Sequence, residues 1–439
     1  MRISPSFIIL ILAALFFQSC KVQSIQPRKI KKLFNESKIV NDHFTGFALY
    51  DLDKQQMIYE LNDDKYYTPA SNTKLFTFYT CLRMLGDSIP ALQYITRGDS
   101  LIFWGTGDPS FLHSDLKGTK GLEFLKNSNK NLYFSSGRYT GGFWGSGWPW
   151  NDYNDYYQAD ITELPMQDNV TLITTGADGK PKMKPVFLAY GLQRDNSYHP
   201  RSFNIQRNFA DNTFVYPDMP MPKNFKQEIP WKTSPALTLA MLQDTLKKPV
   251  TEIHMPIPRD AKTIYNANAD SVYRRMLQPS DNFIAEQLLL VCSSVKFGVL
   301  NKDSVINYSV KNYLNDLPDV PQWADGSGLS RFDLFTPRSI VKLLVKIQEQ
   351  IKDERFLHSL MPIGGVAGTI RNAYKTDNGV PFVWAKTGTL ANNHNQSGYL
   401  VTRKGKRLAF SFMNNNFTRP TGDIRGEMVR IMTYIHENY

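Results

Sequence analysis

Apolar residues recur at two different spacings along the chain, and these spacings predict its helices and strands. After Thr68-Pro69, apolar residues continue at helical spacing until Gly86, which predicts a helix with Thr68 as its N-cap. Ser71 and Lys74 then lie in its first turn, on one face. Further helices are predicted at 28–40, 270–277, from 280 onward, 336–347 and 423–436, and strands at 46–50, 56–59, 382–385, 399–401 and 408–413.

The stretch from 87 to 258 has a different pattern, in which short strands alternate with Gly, Pro, Asn and aromatic residues. This pattern predicts a mainly β insertion, while 28–86 and 259–439 carry the helices and the remaining strands. The order of elements predicts an α/β (α+β) fold in which one antiparallel sheet is covered by its terminal helices.

The insertion contains a tryptophan-rich segment that runs from Trp144 to Tyr157. Exposed tryptophan rings can stack on sugar rings, whereas aromatic clusters in proteins more often belong to a core or an interface. The sequence favours the core or interface interpretation and leaves sugar stacking as the alternative.

The N-terminus is typical of an exported protein. Arg2 precedes the apolar run at 7–17, which is too short to span a membrane and indicates a signal peptide over residues 1–20. Ser19-Cys20 resembles a lipoprotein cleavage site, which predicts lipidation of Cys20, with ordinary signal cleavage as the alternative. We expect a periplasmic protein attached to a membrane by this lipid.

Charge and composition argue against nucleic-acid binding and against a metal or cofactor site. The formal net charge is +11, but the basic residues are dispersed, and an exported protein meets anionic envelope polymers rather than nucleic acid. No paired-cysteine or His-Glu-x-x-His motif indicates a metal, and no cofactor is expected. After Cys20 only Cys81 and Cys292 remain, both on apolar helical patterns that favour unpaired buried thiols over a disulfide.

Three short motifs carry candidate chemistry: Ser71-x-x-Lys74, Ser280-Asp281-Asn282 and Lys386-Thr387-Gly388. Ser-x-x-Lys alone is common by chance, but Lys-Thr-Gly occurs once, and the three follow one another on a helix, a helix junction and a strand. A lysine one turn from a serine can reach its hydroxyl, and a first-turn N–H can stabilise an oxyanion.

This trio resembles the motifs of serine β-lactamases and penicillin-binding proteins. Further features resemble the D-alanyl-D-alanine carboxypeptidase/endopeptidase family of the penicillin-binding protein 4 type, class C of the low-molecular-mass group. They are the long sequence separation between Ser71 and Ser280 and the segments at 147–152, 325–331, 364–369 and 385–390. The resemblance implies a β-lactamase/transpeptidase-like fold. It also implies peptidoglycan stem peptides as substrates and β-lactams as covalent inhibitors.

The resemblance assigns catalytic roles to the motif residues. Ser71 is the expected nucleophile and Lys74 its base, which requires a lowered lysine pKa. Ser280 is expected to relay the proton to the leaving amine, Asn282 to hold the acyl-side amide, and Lys386 to bind the terminal carboxylate together with Thr387.

The strand after Lys386 supplies the remaining motif positions. Thr387 is expected to bind the terminal carboxylate, Gly388 to let the substrate lie close, and the Thr389 N–H to be an oxyanion donor. Three further residues are implied to contact the stem-peptide side chain, with salt bridging or core packing as alternatives: Asp152, Tyr157 and Arg331.

Two alternatives stay open at this stage, one a different enzyme and the other a binding protein. A serine β-lactamase shares the three motifs but lacks so long an insertion, and a non-catalytic peptidoglycan-binding protein would not need both lysines. The segment 391–396 is unusually polar for the family, which affects substrate detail. The motifs do not rank carboxypeptidase, endopeptidase and transpeptidase activity.

Overall fold

The computed structural model describes residues 27–116 and 118–439, so the predicted signal peptide and Cys20 lie outside the described residues. In chain order the strands are β1 Phe44–Asp51, β2 Gln56–Leu61, β3 Ser88–Arg97, β4 Ser100–Gly105, β5 Asn131–Ser135, β6 Val170–Thr175, β7 Pro181–Lys184, β8 Leu192–Asp195, β9 Gln206–Arg207, β10 Phe214–Pro217, β11 Lys226–Pro230, β12 Val250–Ile253, β13 Lys262–Asn268, β14 Val383–Leu390, β15 Asn393–Val401 and β16 Arg407–Asn415. The helices are α1 Pro27–Glu36, α2 Lys74–Met84, α3 Lys120–Asn127, α4 Pro235–Leu246, α5 Ala269–Leu277, α6 Asn282–Phe297, α7 Lys302–Asn312, α8 Pro337–Ile351, α9 Glu354–Leu360 and α10 Thr421–Asn438.

The main sheet is antiparallel, with the strand order β14-β15-β16-β1-β2. On one face the terminal helices α1 and α10 pack on it through buried residues such as Phe34, Phe412 and Ile431. On the other face a second apolar cluster includes Phe76 of α2 and Leu343 of α8. Burying each such side chain contributes about 1.5–3 kcal/mol. The predicted α/β (α+β) fold, an antiparallel sheet flanked by helices, is confirmed.

A second five-stranded sheet has the order β12-β5-β4-β3-β13, and two small sheets, β11-β6-β7 and β8-β10-β9, lie in the same stretch of chain. Strand β13 follows the predicted boundary at 259, yet it pairs with β3 of the insertion. Ala269 N donates to Asp87 O at 2.9 Å, so the chain leaves and rejoins the main sheet's helices at neighbouring points. The division into 28–86 with 259–439 and 87–258 stays a prediction, and the hydrogen-bonded sheet continues to Asn268.

One local prediction was wrong. Thr68 does not cap a helix: its N–H donates to Asn415 Oδ1 at 2.7 Å, and a 3₁₀ turn, Ala70–Thr73, precedes α2. The helix therefore begins at Lys74 rather than before Ser71. Strand β15 begins at Asn393, earlier than the predicted strand at 399–401, and its first four side chains are buried.

Cys81 and Cys292 are buried free thiols whose Sγ atoms lie 3.7 Å apart, as the sequence favoured. Within residues 27–116 and 118–439, no single helix is long and apolar enough to cross a membrane; α6 and α7 reach that length only as a pair bent by 75°. Most of α6 is buried in the protein.

Candidate active site

Ser71 lies on the 3₁₀ turn that leads into α2, and two glycines let neighbouring segments approach this turn. A Cβ at Gly388 would lie 2.4 Å from Pro69 O and 2.9 Å from Ser71 N. A Cβ at Gly328 would lie 1.9 Å from Ala70 O, and the φ of Gly328 is +79°. These distances leave no room for a side chain, so glycine fixes how closely strand β14 and the 325–331 loop pack on the serine.

Lys74 is fully buried and places its amine against the Ser71 hydroxyl. Its Nζ lies 2.9 Å from Ser71 Oγ, 2.6 Å from Asn282 Oδ1 and 2.7 Å from Ser327 O. The last two atoms can only accept hydrogen bonds. In the neutral amine they take the two hydrogens, which directs the nitrogen lone pair towards the Ser71 hydroxyl.

Burial lowers the pKa of Lys74 to about 8, although nearby carboxyl groups, with Asp325 first, oppose the shift. Among these acids, burial followed by Asp325 raises the pKa of Glu286 and of Asp333. Desolvation therefore decides the charge in this region, because it disfavours ionised lysine and ionised carboxyl alike. A lysine with this pKa has a substantial neutral fraction near pH 8.

Ser280 and Lys386 form the second pair of the site. Ser280 lies between α5 and α6 with φ +71°, a backbone conformation that is rare outside glycine. Lys386 on β14 donates from Nζ to Ser280 Oγ at 2.8 Å and to Thr387 O at 2.7 Å. Burial, followed by the charge of Lys74, holds the pKa of Lys386 well below its usual range.

A cavity of about 300 Å³ opens beside Ser71, Ser280, Thr387 and Thr389. Strand β14 is an edge strand of the main sheet whose outer side is paired with residues 362–364 at Val383 and Ala385, and beyond Ala385 its backbone can pair with an extended peptide. A Cβ at Gly388 would face the Pro69–Ser71 turn, and the expected close approach of the substrate at Gly388 stays a prediction. The close approach that demands glycine is between strand and turn.

Sequence reasoning did not select several residues that line this cavity: Tyr156, Thr369, His394, Gln396 and Arg425. Thr387 Oγ1 donates to Thr369 Oγ1 at 2.7 Å, and Thr369 lies in a segment whose family resemblance could have indicated it. Arg425 is on α10, far along the chain from every motif, and no local pattern distinguishes it.

His394 explains part of the polar segment that departs from the family pattern. Its Nδ1 lies 2.8 Å from Thr389 Oγ1, and burial lowers its pKa to about 3, so the imidazole is neutral. Asn395 and Gln396 are also buried and hydrogen-bonded, to Thr68 O and Tyr374 OH respectively. The polar strand is thus a network that supports the turn and β14 from behind.

The three residues expected to contact a stem-peptide side chain lie around the cavity, and none of their side chains lines it. Tyr157 O accepts from Asn282 Nδ2 at 3.0 Å, while burial and the carboxylates of Asp155 and Asp152 raise the pKa of Tyr157. Arg331 Nη1 donates to Ala391 O at 3.2 Å, just beyond β14. Their role in substrate binding stays a prediction.

Over the described parts of the chain, 27–116 and 118–439, no group of three His, Cys, Asp or Glu residues could hold a metal ion. The polar groups at the site are hydroxyls, amines and amides, which suit acyl transfer by a serine.

The model of the D-Ala-D-Ala carboxypeptidase 3 (S13) family matches residues 27–434. The chain belongs to this family. It is a serine-type D-Ala-D-Ala carboxypeptidase, and D-Ala-D-Ala is the terminus of peptidoglycan stem peptides. The family resemblance inferred from the three motifs is confirmed.

Known members of this carboxypeptidase family match nearly the whole chain. The D-alanyl-D-alanine carboxypeptidase DacB of Haemophilus influenzae is 24% identical over 457 residues, which cover 88% of each chain. The crystal structure of penicillin-binding protein 4 (dacB) from the same organism has a TM-score of 0.72 at 21% identity and covers 92% of this chain and 98% of its own. A structure of that protein complexed with a β-lactam has a TM-score of 0.68 at 19% identity and covers 93% and 98%.

Proposed function

We propose that this carboxypeptidase cleaves the terminal D-Ala-D-Ala bond through an acyl-Ser71 intermediate. The observation that carries the proposal is the position of Lys74 Nζ, 2.9 Å from Ser71 Oγ and with two acceptor atoms fixing its hydrogens. The amine takes the hydroxyl proton as Ser71 Oγ bonds to the carbonyl carbon of the penultimate D-alanine.

The leaving amine must gain a proton as the C–N bond breaks. Ser280 Oγ supplies it and receives in turn the proton that Lys74 took from Ser71, while Lys386 Nζ, 2.8 Å away, holds the Ser280 hydroxyl by a hydrogen bond. Lys74 is then neutral again, and in the second half-reaction it takes a proton from the water that attacks the acyl-enzyme and returns it to Ser71 Oγ as the acyl bond breaks. Lys74 thus activates the nucleophile, and Lys386 holds Ser280 on the side of the leaving amine.

The backbone N–H groups of Ser71 and Thr389 stabilise the oxyanion of the tetrahedral intermediate. Gly388 supports this pairing, because the missing Cβ brings Ser71 N and strand β14 together. Donors held by a rigid turn and a rigid strand need little reorganisation when the negative charge develops.

The terminal carboxylate of the substrate binds between Lys386, Thr387 and Arg425. Thr387 and Arg425 both line the cavity, and Thr369 holds the Thr387 hydroxyl at 2.7 Å. On the acyl side, Asn282 holds the substrate amide, and the 152–157 segment with Arg331 contacts the stem-peptide side chain.

The same chemistry extends to D-Ala-diaminopimelate cross-links, because only the leaving amine differs. Endopeptidase activity is therefore part of the proposal. β-Lactams acylate Ser71 as covalent inhibitors, which the β-lactam complex of a structurally similar protein supports. We also propose that the protein is exported to the periplasm and anchored through lipidated Cys20, on the strength of the N-terminal sequence.

Intact-mass measurement after incubation with penicillin tests the nucleophile. We expect a stable adduct of one penicillin on the parent protein and none on Ser71→Ala. An adduct that survives Ser71→Ala would refute the assignment, and rapid release of hydrolysed penicillin would favour a β-lactamase. Digestion of purified peptidoglycan, with separation of the products, then distinguishes carboxypeptidase from endopeptidase activity.

A further inference from the structure

An aromatic surface is formed in part by residues that precede Tyr156, a residue that lines the active-site cavity, and apart from Tyr153 its residues have no role in the mechanism above. It consists of Trp144, Trp150, Tyr153 and Phe209, and we refer to it as the aromatic platform. The ring of Phe209 is central: its centroid lies 5.8 Å from that of Trp144, 6.3 Å from that of Trp150 and 5.1 Å from that of Tyr153.

Two rings of the platform are largely exposed to solvent. Trp150 is 69% exposed and Phe209 48%. Of the core or interface interpretation, a core position fits Trp148, which packs beside Leu290, whereas Trp150 is exposed and does not belong to a core. Large apolar rings gathered in one exposed patch usually mark a binding surface.

The platform is held in place from beneath by polar contacts between the 150–154 segment and strand β9. Arg207 is buried, and its guanidinium donates to Pro230 O and Asp211 O and lies 5.4 Å from the centroid of the Tyr153 ring. Asn154 accepts from Arg207 N at 2.8 Å and donates to Ile205 O at 3.1 Å. The rings are therefore preorganised, which reduces the entropy that a ligand must overcome.

The platform continues into the active site along one short stretch of chain. Trp150 precedes Tyr156 by six residues, and Tyr156 lines the cavity. Six residues span at most roughly 20 Å. The next residue, Tyr157, accepts from Asn282, so this stretch lies on the side of the scissile bond where the acyl part of the substrate extends.

The substrate has a sugar within the length that this stretch of chain can span. The stem peptide joins the scissile bond to the glycan strand through about four residues, which extend roughly 14 Å. The C–H face of a pyranose ring is weakly positive and apolar, and it is attracted to the negative face of an aromatic ring. Lys232 Nζ lies 6.0 Å from the ring centroid of Phe143, the residue before Trp144, and its amine can donate hydrogen bonds to the hydroxyl and amide groups of an amino sugar.

We propose that the aromatic platform binds the N-acetylated glycan strand that carries the stem peptide. The proposal rests on the proposed function, since it takes the glycan-linked stem peptide as the substrate. Sugar stacking on Trp150 and Phe209 then selects stem peptides still attached to glycan over free peptides.

Kinetics with two matched substrates test the platform: a disaccharide-pentapeptide and the same pentapeptide without sugar. For Phe209→Ala and Trp150→Ala we expect kcat/KM on the sugar-linked substrate to fall roughly five- to tenfold. On the free peptide it should change less than about twofold. Trp150→Phe keeps a ring face and should retain most of the activity. Tyr190→Ala is the control, because Tyr190 is an exposed aromatic residue of the same insertion.

Equal losses on both substrates, or no loss on either, would overturn the proposal. So would a change in the sedimentation coefficient of Phe209→Ala, because the platform would then be a contact between copies. Quenching of tryptophan fluorescence by an N-acetylglucosamine tetramer, lost in Phe209→Ala, gives a readout independent of catalysis. If the parent turns over neither peptide, the proposed function fails, and this binding measurement alone decides the platform.

Discussion

At the residue scale, the two buried lysines determine when the site can react. Lys74 must be neutral to accept the Ser71 proton, and burial lowers its pKa to about 8. Lysine loses its proton as pH rises, so the reactive fraction increases through pH 8 and is nearly complete above it. Because Lys386 lies close by and is also shifted, the midpoint belongs to the pair.

We therefore predict that the rate constant for acylation by penicillin rises with pH, roughly tenfold per unit below pH 8, and levels off above it. Intact-mass kinetics between pH 6 and pH 10 measure this profile, with circular dichroism at each pH as the control for folding. A flat profile, or a rise confined to pH above 10, would contradict neutral Lys74 as the base.

Gly388 provides a second test at the scale of one residue. In Gly388→Ala the new methyl group meets Pro69 O at 2.4 Å and Ser71 N at 2.9 Å, so the turn or the strand must move. We expect acylation to slow about a hundredfold, since displacement of a reacting group by about 1 Å can cost that much.

Gly422→Ala is the matched control for this substitution. A Cβ at Gly422, on α10, meets no atom of the described residues within 4 Å. Its acylation rate should equal that of the parent. If both variants react at the parent rate, the close approach at Gly388 does not control the geometry of the nucleophile.

At the scale of elements, one hydrogen bond joins the insertion to the loop behind Lys74. Trp148 Nε1 donates to Asp325 Oδ2 at 2.7 Å, and Asp325 accepts from the N–H groups of Gly328 and Ser330. The same loop offers Ser327 O to Lys74. The 143–157 segment is thus fixed relative to Lys74, the general base of the reaction.

We predict that Trp148→Phe destabilises the protein by about 1–3 kcal/mol, because it removes a donor from a fully buried carboxyl group. It should also slow acylation. Thermal unfolding and penicillin kinetics measure the two effects. Trp144→Phe is the control, since Trp144 Nε1 has no hydrogen-bond partner among the described residues. Equal stability of the two variants would show that the Trp148 contact contributes little.

The strands and helices near the site show where sequence patterns are informative. The helical spacing after Ser71 predicted α2, but the serine itself lies on a 3₁₀ turn, because Asn395 and Asn415 take the backbone groups of Thr68. These asparagines come from β15 and β16, more than three hundred residues later in the sequence. No local pattern contains such a partner.

At the scale of the whole molecule, motif order was sufficient to predict the fold and the family, while the shape of the cavity was not predictable. Ser71, Ser280 and Lys386 meet because three distant segments pack on one another, and their motifs occur in a known order. Arg425 reaches the same cavity only through the packing of α10 on the main sheet. The exposure of Trp150 likewise depends on the tertiary position of β9.

The formal net charge of +11 gives a prediction for the molecule as a whole. Peptidoglycan carries carboxylates, and a positively charged protein is attracted to such a polymer over the Debye length, which falls from about 30 Å at 10 mM salt to about 10 Å at 100 mM. Release of D-alanine from intact sacculi should therefore slow several-fold over this range. Acylation by penicillin, a small ligand that reacts in a buried site, should change far less. Both rates can be measured on the same preparation. Equal salt dependence would show that the charge acts at the active site rather than by concentrating the protein on the polymer.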